Sequence, residues 1–222
     1  MIEFKNVSKQ YPGNIIAVKN ASFKIKPDEF VSIVGQSGAG KSTLVRLLMA
    51  EERPTRGRII VGGWDITDIR RREIPELRRQ IGVVYQDYKL LPKKTVFENV
   101  AFALEVCGEP GRKIKTVVPQ VLRIVGLEDR QRRYPLQLSG GEQQRVSIVR
   151  AVAHEPAILF ADEPTANLDN ESSRIIMNMF LELHKKRGQT IIMVTHEEQY
   201  AKNAQRLVKI DDGRIVSDEK LS

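Results

Sequence analysis

Cysteine, tryptophan and long apolar stretches are what this sequence has least of. Its one cysteine, Cys107, excludes an intrachain disulfide framework and any multi-cysteine metal cluster, and it points to a reducing compartment. No run approaches the ~18 consecutive apolar residues of a bilayer-spanning helix, so the chain is not expected to cross a membrane by itself. The start, Met1-Ile-Glu-Phe-Lys5, has neither a long apolar core nor a cleavage site and does not read as a secretion signal. Internal repeats and low-complexity tracts are missing too. What is present is an ordinary globular balance: 222 residues, 41% hydrophobic and 29% charged, enough to bury a substantial core. Lys+Arg number 36 against 28 Asp+Glu, a net charge of +8. Such an excess suits nucleic acid, an anionic membrane surface or an acidic partner. No basic tract interleaved with aromatics occurs, which argues against nucleic acid.

Short apolar runs bounded by glycine or proline alternate with helical patterns, the signature of an α/β fold. Phe30–Val34, Ala157–Asp162 and Thr190–Thr195 read as buried strands, and their unbroken apolarity suits a parallel sheet covered on both faces. Arg58–Val61 before Gly62-Gly63 reads as a strand and turn. Helices are expected from Lys41 to about Ala50 and from Ser172 to Arg187. Near the end, Arg206–Ile210 and Arg214–Val216 flank Asp211-Asp212-Gly213 as a hairpin. From 87 to 155 the pattern is helical, broken at Pro110-Gly111 and Tyr134-Pro135. This organisation predicts one domain: an α/β core from 1–86 and 156–222, interrupted by a helical subdomain at 87–155.

The run Gly35-Gln36-Ser37-Gly38-Ala39-Gly40-Lys41-Ser42-Thr43 fits G-x-x-x-x-G-K-[ST] and lies between a predicted strand and a predicted helix. Glycines let the backbone wrap phosphates, successive N–H groups form an anion nest, and the helix N-terminus adds positive potential. Lys41 is placed on the β- and γ-phosphates and Ser42 on Mg2+. Asp162-Glu163 closes a buried strand, where ligands bind in open α/β sheets. Asp162 is the expected Mg2+ ligand and Glu163 the carboxylate that polarises the attacking water. His196 ends the next buried strand. It either faces the γ-phosphate or is merely a polar terminus. His154 and His184 attract no functional case.

Leu138-Ser139-Gly140-Gly141-Glu142-Gln143-Gln144-Arg145 reads locally as a capping box at a helix start. It also resembles the signature motif of ATP-binding-cassette ATPases, a resemblance that covers nearly the whole chain. The resemblance implies a P-loop NTPase with a RecA-like core, an N-terminal antiparallel β subdomain and a helical insertion. It implies a homodimer that closes on two ATP molecules, in which Ser139, Gly140, Gly141 and Glu142 serve the opposite subunit's nucleotide. Tyr11 takes the place of the aromatic that stacks on adenine, and Gln86 that of the glutamine sensing Mg2+ and water. Asn167 and Asp169, in Ala166-Asn167-Leu168-Asp169, match the loop that contacts the other subunit, and His196 matches the switch histidine. The stretch Tyr85–Pro92, followed by Thr95–Ala101, resembles the cell-division branch of the family. Two departures, Ala166 for a commoner glycine and Gln36 for a frequent proline, touch no predicted phosphate or metal ligand. Lipoprotein-releasing and macrolide-export ATPases share much of the pattern and form the alternative. Either way the resemblance implies an integral membrane partner and peripheral attachment at the cytoplasmic face of a bacterial membrane. Tyr88, Leu90, Leu91 and Phe97 are candidates for docking that partner or for packing the insertion. Residues 88–150 hold 12 Lys+Arg and 6 Asp+Glu, so the basic excess is expected to meet lipid headgroups or acidic parts of the partner.

Overall fold

The computed structural model describes residues 1–221. In chain order the elements are β1 (Ile2–Tyr11), β2 (Ile15–Ile25), β3 (Phe30–Val34), α1 (Lys41–Leu48), β4 (Arg56–Val61), β5 (Trp64–Asp65), α2 (Ile74–Arg79) and β6 (Ile81–Val84). There follow α3 (Val96–Val106), α4 (Gly111–Ile124), α5 (Gly140–Val152), β7 (Ile158–Asp162), α6 (Asn170–Arg187), β8 (Thr190–Thr195), α7 (Glu198–Ala201), β9 (Arg206–Asp211) and β10 (Arg214–Lys220). Two sheets result. One is antiparallel with the order β2-β1-β4-β5, and the other runs β10-β9-β3-β8-β7-β6. The second is parallel except for β10, which returns as an edge hairpin.

Period-2 alternation in the central strands explains the layering. Val31 and Ile33 of β3, Ile158 and Phe160 of β7, and Ile192 and Val194 of β8 enter one core, with α1 and the antiparallel sheet. Their alternates, Phe30, Leu159, Ala161, Ile191 and Met193, enter a second core under α6 with Ile176, Met177 and Phe180. Both faces are buried, so both positions of the alternation are mainly apolar, with Ser32 of β3 a buried polar exception. Each fully buried large side chain contributes about 1.5–3 kcal/mol of transfer free energy.

A third core joins α3, α4 and α5 through Val96, Val100, Leu104, Ile114, Val118, Leu122, Val146 and Val149. Helix α5 belongs to two cores at once, because its Ile148 and Ala151 pack under the parallel sheet. Leu90 and Phe97 are partly buried against the third core. Strand β6, which periodicity alone does not reveal, carries Gly82, and a Cβ there would collide with the carbonyl of Ala151. That glycine lets α5 lie against the sheet edge.

Candidate active site

β6, β7, β8 and β3 all run the same way, so their carboxyl ends share one edge of the sheet. There they surround a cavity of about 810 Å³. Its walls include Gly35, Gln36, Ser37, Gly38 and Gly40 from the loop after β3, and Lys41, Ser42 and Thr43 from the first turn of α1. Gln86 comes from beyond β6, Asp162 and Glu163 from the end of β7, and His196 from the end of β8. The fold thus gathers segments that the chain separates by up to three quarters of its length.

The loop owes its shape to backbone conformations that few residues adopt. Gly40, the N-cap of α1, has φ 103°, and a Cβ there would strike the carbonyl of Ala17. Ala39 is buried and faces away from the cavity. Its N–H donates to the Gln36 carbonyl at 3.1 Å and its carbonyl accepts from Gly213 N–H at 3.1 Å, tying the loop to the β9–β10 turn. In the first turn of α1 the Thr43 and Leu44 amides both donate to the Gly40 carbonyl at 3.1 Å, which leaves those of Lys41 and Ser42 to present an anion site. Lys41 is 8% exposed. Its Nζ donates to the carbonyls of Gly35 at 2.7 Å and Gln36 at 3.0 Å, and stands 3.9 Å from Glu163 Oε1.

Glu163 sits in the left-handed region at φ 45°, a conformation costing on the order of 1–2 kcal/mol for a non-glycine residue. Its N–H donates to Val194 O at 2.8 Å, which holds the backbone there. Oε2 accepts from the His196 backbone N–H at 3.2 Å and lies 2.9 Å from His196 Nδ1. A carboxylate only accepts, so Nδ1 carries the hydrogen in this contact. Asp162 is driven above the ordinary carboxylate range by burial first and by the neighbouring charge of Glu163 second, with Lys41 opposing.

The donor set fits a hard divalent ion. The Ser42 hydroxyl, Gln86 amide oxygen and Asp162 carboxylate are all oxygen ligands on one cavity, and a cation there would relieve the unfavourable ionisation of Asp162. Among the described residues no cluster of three His, Cys, Asp or Glu could hold a metal on its own. One carboxylate shared with substrate phosphates is the arrangement Mg2+ favours.

Other expected site residues stand elsewhere. Tyr11 ends β1 outside the cavity lining, with Lys9 Nζ 5.0 Å from its ring centre. Ser139 caps α5: its Oγ accepts from Glu142 N–H, and Glu142 Oε2 accepts from Ser139 N–H at 2.8 Å. That amide, and then Arg130, hold the Glu142 carboxyl below its usual range. Gly141 packs on α6, where a Cβ would come 2.6 Å from Ser172 Oγ. Asp169 caps α6, accepting from Ser172 N–H and Oγ–H at 2.8 Å each. Asn167 Nδ2 donates to the Gln86 carbonyl at 3.1 Å. The cavity also includes Ala17, Val34, Glu198 and Lys209, which motif reading does not find. Lys209 reaches it because β9 pairs with β3, setting Lys209 opposite Val34. The only signal in the chain is its polar place between buried Val208 and Ile210. A second, mainly apolar groove of about 540 Å³ runs between β6 and α3, with Leu91, Phe102, Val106 and Tyr85 on its walls and Arg78, Arg79, Lys89 and Arg150 beside them.

The phosphate loop, the acidic strand end and the capped α5, in this topology, define an ATP-hydrolysing cassette, and comparison with known proteins bears this out. The chain belongs to the ABC transporter family, which matches it over residues 18–166. It is an ABC-type ATPase. It is 50% identical over 220 residues to the "Cell division ATP-binding protein FtsE" of Bacillus subtilis, covering 99% of this chain and 96% of the relative. To the protein of that name in Escherichia coli K12 it is 45% identical over 216 residues, with 97% of each covered. Among solved structures, the dimeric post-hydrolysis state of the ATP-binding cassette MJ0796 bound to ADP and Pi superposes with a TM-score of 0.92. It shares 36% identity over 100% of this chain and 99% of that one. CbiO1 from Clostridium perfringens, part of an ABC transporter complex, gives 0.91 at 30% identity, covering 99% and 88%.

Proposed function

We propose that this chain hydrolyses ATP with Mg2+ as a nucleotide-sandwich homodimer and passes the resulting motion to an integral membrane partner in bacterial cell division. The observation that carries the reading is the convergence of Lys41, Ser42, Gln86, Asp162, Glu163 and His196 on one cavity at the sheet's carboxyl edge. In it the amides of the 35–43 loop that carry no internal hydrogen bond, together with the Lys41 ammonium, bind the phosphates. Ser42, Gln86 and Asp162 would hold Mg2+, which when bound would neutralise phosphate charge. Glu163, oriented by the Nδ1–H of His196, takes a proton from the attacking water as its oxygen bonds to the γ-phosphorus. The bond to the β–γ bridging oxygen breaks, and ADP and phosphate leave. Tyr11 stacks on adenine. Ser139, Gly140, Gly141 and Glu142 complete the partner copy's site, with Asn167 and Asp169 at the junction. The nucleotide core is residues 1–86 and 156–222, and 87–155 form the signature subdomain.

Relatives named for cell division are 45–50% identical over nearly the whole chain, and two solved transporter cassettes are 37% and 30% identical. This favours a partner of the FtsX kind and control of cell-wall hydrolases over lipoprotein release or macrolide export. The groove beside α3 offers that partner an apolar seat. No helix of the described residues is long and apolar enough to cross a membrane; the attachment proposed is peripheral, at the cytoplasmic face and through the partner. The Glu163→Gln variant tests the chemistry. Turnover is expected to collapse while ATP binding persists, with an ATP-dependent dimer visible by size exclusion. Near-wild-type hydrolysis would remove Glu163 as the base. Co-purification with the membrane protein tests the biological role.

A further inference from the structure

Two residues beyond Gln86 the backbone does something that sequence propensity does not support. Tyr88 and Lys89, successive and neither of them glycine, asparagine or aspartate, both lie in the left-handed region at φ 58° and 47°. The bend is held from α5. Arg150 Nη2 donates to the Tyr88 carbonyl at 2.9 Å and Nη1 to the Lys89 carbonyl at 2.6 Å. Ser147, one helical turn away on the same face, donates its hydroxyl to the Tyr88 carbonyl at 3.1 Å. Among the described residues Arg150 has no carboxylate partner, so its planar fork is spent wholly on two backbone oxygens. The Tyr88 phenol closes the contact from the other end: a Cβ on Gly140, the first residue of α5, would lie 2.9 Å from its oxygen.

We propose that Arg150 is a positioning residue for hydrolysis: by clamping the Tyr88–Lys89 bend to α5 it sets where Gln86 stands in the cavity. The proposal rests on the reading of Gln86 as a reacting-site residue. It makes α5 the common frame of two parts of the machinery. The N-terminus of α5 carries the signature residues, and its last turn fixes the segment bearing Gln86. A lysine at 150 keeps the charge but not the fork, and it satisfies one carbonyl where arginine satisfies both.

The test uses the full chain, with steady-state ATP turnover and equilibrium binding of a fluorescent ATP analogue as separate readouts. Arg150→Lys is expected to lower kcat about tenfold, the order of loss when a reacting group is slightly misplaced, with nucleotide Kd changed less than about twofold. Adding Lys89→Gly to that variant is expected to restore most of the lost rate, because glycine takes a positive φ without steric cost. Lys89→Ala is expected to restore none. Ser147→Ala, which leaves the fork intact, is expected to give a smaller loss and covers the case in which Arg150→Lys misfolds. Unchanged kcat in both the Arg150 and Ser147 variants, equal rescue by alanine and glycine, or a Kd that weakens in step with kcat overturns the proposal. Gln86→Ala separates the two layers. Full turnover in that variant sinks the reading of Gln86 itself, while a loss there beside an unaffected Arg150→Lys sinks only the clamp.

Discussion

At the scale of single residues, the site is built from groups whose chemistry is commonplace and whose surroundings are not. Lys41 is buried with its ammonium on the carbonyls of Gly35 and Gln36, so its removal takes a charged donor from both, leaving Gln36 O with the Ala39 N–H alone. Hydrogen bonds to charged groups contribute ~1.5–3 kcal/mol. Lys41→Ala is accordingly expected to weaken ATP binding at least tenfold by calorimetry, and unchanged affinity would contradict its role. Gly40→Ala meets both a positive φ and the Ala17 carbonyl, and is expected to abolish nucleotide binding without unfolding the parallel sheet. Lys41, Ser42, Asp162 and Glu163 were legible because a motif and an apolar strand flank them in the chain. Lys209 and Glu198 were not, since nothing local distinguishes them from other surface charges. The strain at Glu163 was equally hidden, for φ is imposed by the Val194 carbonyl across the sheet.

At the scale of elements, helix starts do the most. Thr95 and Ser139 open α3 and α5 with full capping boxes, and Asp169 opens α6. Ser139→Ala is expected to cost ~1 kcal/mol, read as a lowered midpoint in thermal denaturation. The carboxyls of Glu98, Glu142 and Asp169 are all held below their ordinary range, chiefly by the backbone amides they cap. A depressed folded value stabilises the fold above the unfolded value, and that stabilisation is lost as pH falls through the folded value. From this source the melting temperature is expected to be flat from pH 7 to about 5 and to drop below about 4. Glu142→Gln should flatten part of that drop. Phe160, buried between β7's neighbours and the antiparallel sheet, is expected to cost about 3–5 kcal/mol on truncation to alanine. Most of these elements could be read from periodicity. β6 could not, being four residues long and interrupted by Gly82, and the antiparallel strands β1 and β2 came only with the family resemblance.

For the whole molecule, the basic excess has a structure. Arg123 pairs with Glu128 at 2.6 Å, Arg130 with Glu142 at 3.4 Å and Lys113 with Glu109 at 2.8 Å, all exposed pairs of small worth. Among the described residues Arg112, Lys115, Arg132 and Arg133 have no ion pair. Charge reversal at Arg132 and Arg133 together is expected to lower the membrane-bound fraction in a salt-dependent way. An unaltered fraction in sedimentation would leave those charges as solubility alone. By itself the sequence determined the phosphate loop, the acidic strand end, the Ser139 cap of α5 and the class of chemistry. These depend on neighbours within a few positions, where backbone geometry follows from residue type. Only the tertiary structure decided that β9 lies beside β3, that α5 serves two cores, and that Arg150 holds the bend after Gln86. Those are contacts between distant segments. They are selected by how three apolar cores pack together, and no local pattern encodes that.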